Sequence, residues 1–180
     1  VIIRRGDKMN NPIIKITMDD DSTIFLELYP DIAPITVKNF LNLVNQNYFD
    51  NLCFHRIIEN FMIQGGGYYV DGNTIKEAKK LEPIKGEFKS NGVNNTLKHE
   101  PGVISMARTS DPNSATSQFF ICSATTPHLD GDYAAFGKTI DQESLDNVMR
   151  ISKVSTVNVG GGMTDFPYPI VYIKSIEQVK

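Results

Sequence analysis

Conventional catalytic equipment is scarce in this sequence. Two cysteines, Cys53 and Cys122, are too few for a disulfide framework, and 180 residues do not need a staple. They read as reduced thiols, which points to a cytoplasmic location. The three histidines, His55, His99 and His128, fall at no metal-ligand spacing, and there is neither a His-Glu-x-x-His nor a paired Cys-x-x-Cys. Gly65-Gly66-Gly67 lacks the Lys-Ser/Thr of a phosphate loop and the spacing of a dinucleotide fingerprint. No metal or cofactor is therefore expected. Charge of one sign is equally scarce: the formal net charge is −3, with no block of like charges and no basic stripe. Capture of nucleic acid or of an anionic membrane is thus not expected. The densest acidic run, Asp19 to Asp21, reads as a solvated turn without the further ligands that calcium needs. Long apolar runs are missing too. Val1 to Ile3, before Arg4 and Arg5, is far short of a signal core or a membrane span, and residues 1–11 read as an extension ahead of one domain over 12–180. Asn94-Asn95-Thr96 is a formal glycosylation sequon with no meaning in a cytoplasmic protein.

What the sequence does have is enough apolar residue for a real core: 41% hydrophobic against 22% charged. Ile14, Ile16 and Met18 alternate onto one face of a strand, and Ile24, Leu26 and Leu28 answer across a turn at Asp19 to Ser22. The period then changes. Pro34 in a first turn, followed by Ile35, Val37, Phe40, Leu41 and Val44, predicts a helix ending near Asn45 to Asn47. Short apolar runs at 52–58, 61–64, 103–107, 118–122 and 134–140 read as strands. Asp141 as N-cap opens a second helix that presents Leu145, Val148 and Met149 to the core, and a last strand covers about 169–179. Residues 69–85 and 160–169 look like linkers. Many short strands with two helices predict a mainly β fold, a closed eight-stranded antiparallel barrel capped by two α-helices. A barrel of about eight strands fills its interior with side chains, so any site lies outside it.

One feature bears on function. Alternation in Gln118-Phe119-Phe120-Ile121 puts Phe119 and Ile121 on one face and Gln118 with Phe120 on the other. One aromatic must therefore look away from the core. Met62 and Gln64 repeat the arrangement, and Arg56 shares its face with Phe54 and Ile58. Converging outside a filled barrel, such faces make an apolar saucer edged by a guanidinium and two amides, a site for a peptide or ligand. The bland alternative is that Phe120 and Met62 cover a helix and Arg56 is a surface cation. Cys53 and His55, at i and i+2, weakly resemble a thiol-imidazole pair, but side chains so spaced point in parallel rather than at each other.

The run Phe54-His55-Arg56-Ile57-Ile58-Glu59-Asn60-Phe61-Met62-Ile63-Gln64-Gly65-Gly66-Gly67 closely resembles the cyclophilin signature. Residues 102–108 with 114–121, and His128-Leu129-Asp130-Gly131-Asp132-Tyr133-Ala134-Ala135-Phe136-Gly137-Lys138, match further family blocks in order. The resemblance runs from about Pro12 to Glu177, and the second block is most similar to bacterial cytoplasmic forms. It implies a peptidyl-prolyl cis-trans isomerase that assists folding, acting on proline-containing peptides and unfolded or partly folded proteins, and expected to be a monomer. By position, it makes Arg56 the catalytic cation, acting with Gln64 and Phe61. The substrate contacts are then Met62, Ala107, Arg108, Gln118, Phe120, His128, Leu129, Tyr133 and His55. His128 stands where the best-known eukaryotic members carry tryptophan, which implies weak cyclosporin binding, and Tyr133 replaces a histidine at the pocket edge. Two other classes compete: a non-catalytic module that holds proline segments in the same saucer, and a barrel carrier for small apolar ligands. The carrier would need small residues pointing inward, whereas these strands are filled with Ile, Leu, Phe and Met.

Overall fold

In a computed structural model that describes residues 10–180, the first hairpin forms as its alternation requires. Strands β1 (Ile13–Met18) and β2 (Thr23–Leu28) each bury every second residue, so six aliphatic side chains enter the core from one face. Helix α1 (Pro34–Asn45) begins at the proline and packs Val37, Phe40, Leu43 and Val44 inward. Its N-terminus has no local side-chain cap. Buried Glu87, far along the chain, supplies one instead: its carboxylate accepts from the backbone N–H of Thr36 at 2.7 Å and of Ile35 at 3.2 Å. That arrangement satisfies orphan donors and sets a negative group at the positive end of the helix dipole. No local sequence signal announces it.

Strands β3 (Cys53–Ile58), β4 (Met62–Asp71), β5 (Thr74–Glu77), β6 (Val103–Met106), β7 (Phe119–Cys122), β8 (Ala135–Thr139) and β11 (Ile173–Gln178) join β1 and β2 in one nine-stranded sheet. Its path runs β11-β1-β2-β8-β6-β7-β4-β3, with β5 paired to β4. A small separate ladder pairs β9 (Thr156–Val157) with β10 (Phe166–Pro167). The expected closed eight-stranded barrel is thereby corrected to a strongly curled open sheet. Its two edge strands meet only through one isolated bridge, Cys53 with Tyr172, and a few flanking backbone bonds such as Phe54 N–H to Val171 O. These bonds join residues 51–54 to residues 171–173, where the two strands begin, and no β3–β11 ladder follows.

The interior is nevertheless filled. Phe40 sits 5.0 Å from Phe49, 5.3 Å from Phe136 and 5.5 Å from Phe119 between ring centroids, a packed aromatic cluster with no room for a carried ligand. Helix α2 (Gln142–Ile151) is capped as expected, Asp141 accepting from Ser144 N–H at 2.8 Å. Its buried residues are Ser144, Val148 and Ile151, while Leu145 and Met149 are only half-buried. Ser144 is inside because its hydroxyl accepts from Phe25 N–H, tying the helix to β2. The two supposed linkers are corrected as well. Residues 69–77 continue β4 and return as β5, and 160–169 contain β10. The N-terminal extension expected over 1–11 lies, for residues 1–9, outside the described residues.

Candidate active site

On the outside of the sheet, β4, β7 and β3 turn a second set of side chains away from the aromatic core. Phe119, Ile121 and Ile63 belong to the main core, whereas Met62, Phe120, Cys122 and Leu129 form a separate small apolar cluster. Strand alternation does this, since β4 and β7 pair Met62 with Cys122 and Gln64 with Phe120. Over that cluster lies a groove of about 190 Å3. Met62, Phe120 and Leu129 form its floor, with Phe61 and Ala107 half-buried beside them. Arg56, Gln64, Arg108 and Tyr133 make its rim.

Arg56 reaches this face for a reason that simple alternation misses. β3 and β4 slip register between Phe54, which pairs with Gly65, and Arg56, which pairs with Gln64. The slip flips the parity of the strand: Phe54 is fully buried in the core while Arg56 is exposed on the outside. The expectation that the two share a face is therefore wrong, although Arg56 and Ile58 do. A second slip sets Cys53 opposite Tyr68. The glycine run opposite makes these shifts possible and also admits Gln118. A Cβ on Gly67 would lie 2.5 Å from the Gln118 side chain, and Gly66, at φ 91°, would collide with Ser117 O at 2.7 Å.

The polar rim is wired in series. Arg56 Nη1 donates to Gln64 Oε1 at 3.2 Å, and Gln64 Nε2 donates to Gln118 Oε1 at 3.0 Å. The guanidinium carbon lies 5.9 Å from the Phe61 ring centroid. Arg108 is held differently. It lies over the rings of Phe88 and Tyr133 at 4.8 and 4.6 Å and donates twice to Asp132 O, at 3.1 and 2.6 Å. With its donors committed, Arg108 is a wall, and Arg56 is the guanidinium that still faces the groove.

Behind Phe120 stands a set of residues that the sequence reading left without a role. His99 stacks on Phe120 at 5.9 Å and 17°, its Nδ1 is 2.9 Å from Asp130 Oδ1, and its Nε2 is 2.8 Å from Ser105 Oγ. Burial lowers the pKa of His99, against the opposing pull of Asp130. Tyr133 closes on the other side of Phe120, edge-on at 6.0 Å. Phe120 is thus packed against two rings, one stacked and one edge-on.

Three expected contacts fall outside the groove's lining. Gln118 lines another recess, with Tyr48, Gly67 and Tyr68, and meets the rim through Gln64. His55 does not line this groove: it is buried against Tyr68, ring to ring at 4.6 Å, and faces a neighbouring recess. Its Nδ1 has no hydrogen-bond partner among the described residues, and burial, helped by the charge of Arg56, pushes its pKa down to about 4. His128 is exposed on a short 3-10 turn over 127–129, at the groove's edge, 5.8 Å from the Phe61 ring. Cys53 is no activated nucleophile, since burial pushes its thiol up to about 11. The Asp19 to Asp21 run is an exposed turn, with Asp20 bound to Ser22.

The sequence profile of a family described as cyclophilin type peptidyl-prolyl cis-trans isomerase/CLD matches residues 13–178. The chain belongs to that cyclophilin family. It catalyses the cis-trans isomerisation of peptidyl-prolyl bonds. A peptidyl-prolyl cis-trans isomerase of Acinetobacter baylyi is 43% identical over 166 residues, covering 87% of this chain and 83% of its own length. Peptidyl-prolyl cis-trans isomerase B of Escherichia coli is 37% identical, covering 85% and 92%. A cyclophilin-type isomerase of Cryptosporidium parvum, solved in the presence of the dipeptide Ala-Pro, superimposes with a TM-score of 0.70 at 30% identity over 93% of this chain and 99% of that one. In a cyclophilin, the absence of a nucleophile along the groove is no deficit, because the reaction breaks no bond.

Proposed function

We propose that this cyclophilin seats the proline ring of an extended peptide on Met62, Phe120 and Leu129, and that Arg56 stabilises the twisted imide. Rotation about X-Pro costs about 18–20 kcal/mol because twisting destroys amide resonance. A catalyst need only bind the twisted state more tightly than either planar isomer. As the amide twists, the proline nitrogen regains a lone pair that can accept a hydrogen bond. Arg56 is suited to donate it, being permanently charged and offering several donors in a rigid fork. Gln64 and Gln118 hold the flanking backbone, so the two ends of the bond turn against each other, and Phe61, Ala107, Arg108 and Tyr133 bound the ring. The observation that carries this reading is the convergence in one groove of an available guanidinium, the Gln64 amide, itself linked to Gln118 just beyond the lining, and an apolar floor.

The substrates are proline-containing segments of unfolded or partly folded proteins, and the role is assistance of folding by a monomer in the cytoplasm. Among the described residues no helix is long and apolar enough to cross a membrane. Cyclosporin is a weak ligand, because an exposed imidazole at His128 covers less of a greasy macrocycle than an indole would. A protease-coupled assay on a short Xaa-Pro peptide tests the core of the proposal. Acceleration that Arg56→Ala abolishes supports it, and saturable binding with no acceleration would return the chain to the class of passive proline-binding modules.

A further inference from the structure

A larger depression lies beside the catalytic groove. It encloses about 690 Å3 between the β4–β5 hairpin and the segment 157–170. One wall carries Val70 and Ile75, and the other carries Val157, Val159, Phe166 and Tyr168. Among the described residues, the one charged side chain that lines it is Glu77. Six large apolar side chains are exposed among the described residues, and three of them, Val157, Val159 and Tyr168, face this one depression at 42%, 43% and 66% exposure. Such clustering is a mark of an interaction surface, whereas scattered exposed apolar residues need no explanation.

The depression is linked to the catalytic groove only through residues that both share with a third cavity. Between them lies a recess of about 210 Å3. Arg56 borders both this recess and the catalytic groove, while Tyr68, Gly161 and Met163 border both the recess and the large depression. The dividing rim is Gly160-Gly161-Gly162, all three at positive φ, and a Cβ at any of them would meet nothing within 4 Å. A saddle with no side chains is what a polypeptide backbone needs to cross without a clash.

We propose that this depression is an extended subsite that binds apolar or aromatic residues of the same polypeptide whose proline occupies the catalytic groove. The inference rests on the isomerase reading above and gives it a preference: prolines flanked, a few residues away, by an exposed apolar stretch. That is the composition an unfolded chain offers and a folded surface does not. The occupant is neutral or basic, since the one fixed charge lining the site is acidic.

The test compares three synthetic peptides in the intact protein: a short Xaa-Pro tetrapeptide, and the same tetrapeptide joined through a two-residue spacer to a Phe-Leu-Val block on either its N-terminal or its C-terminal side. One of the extended peptides is expected to show a KM about 10-fold lower than the tetrapeptide. Val159→Asp and Ile75→Asp, on opposite walls, should each erase most of that gain while leaving tetrapeptide turnover within 2-fold, and Val179→Asp, an exposed apolar site elsewhere, should preserve both the gain and the turnover. Equal KM for all three peptides, or a gain that survives both wall variants, overturns the subsite. Failure to turn over the tetrapeptide at all would instead overturn the isomerase mechanism on which the subsite rests.

Discussion

Replacing Arg56 with alanine separates binding from catalysis in this site. The side chain is exposed, and its hydrogen bond among the described residues runs from Nη1 to Gln64 Oε1 at 3.2 Å. Truncation therefore removes little packing, and folding stability should stay within about 0.5 kcal/mol of the parent. The proline floor of Met62, Phe120 and Leu129 remains, so ground-state affinity for a peptide should change no more than about 2- to 3-fold, equivalent to under about 0.7 kcal/mol. In the proposed mechanism the bond to the imide nitrogen exists only when the amide is twisted. Losing a preorganised donor of this kind costs about 2.7–4 kcal/mol, or about 10²–10³ in rate. Because Arg56 is solvent-facing and screened, the lower end of that range, about 10² in kcat/KM, is the expected result. Arg56→Lys should recover little, since a compact ammonium cannot hold both Gln64 and the nitrogen in one fork. The assay pairs protease-coupled or exchange-NMR kinetics with direct titration of a peptide. Parallel losses in affinity and turnover, or full rescue by lysine, would refute the argument.

Stability should fall in mild acid. His55 is buried with its pKa pushed down to about 4, against about 6.5 when unfolded, so the unfolded chain takes up a proton first and stability is lost as pH drops through that window. Chemical denaturation should show a loss of about 2 kcal/mol between pH 7 and 5, His99 adding to it in the same direction, and His55→Asn should flatten the slope; an unchanged slope would sink this account. His128→Trp should tighten cyclosporin about 10- to 100-fold with little change in short-peptide kcat/KM, and nanomolar inhibition of the parent protein would contradict it. Activity should survive a chelator and a maleimide alike: burial pushes the Cys53 and Cys122 thiols up to about 11 and 12, leaving almost no thiolate at pH 8. Metal-restored activity, or rapid thiol inactivation, would refute that.

Period-2 alternation was sufficient to sort Phe119 and Ile121 from Phe120, and Ile63 from Met62, because a side chain on a regular strand has only two directions to point. It also set the hairpin of β1 and β2 and the starts of α1 and α2, which local proline and capping chemistry determine. The family motifs named the isomerase. Where alternation broke, only the tertiary structure could decide. The register slip opposite Gly65 sends Phe54 inward and Arg56 outward, and a bulge is a property of two paired strands that neither strand displays alone. The clamp of His99, Asp130 and Ser105 behind Phe120, the remote cap from Glu87 to α1, and the stack of Arg108 between Phe88 and Tyr133 join residues far apart in the chain. His55 and Arg56 border one recess, but only Arg56 also reaches the groove, a difference that the register slip beside them decides. The open edge depends on how β3 and β11 meet, and the apolar depression beyond the triglycine saddle on how β4, β5 and the 157–170 segment meet, which no periodicity along the chain encodes.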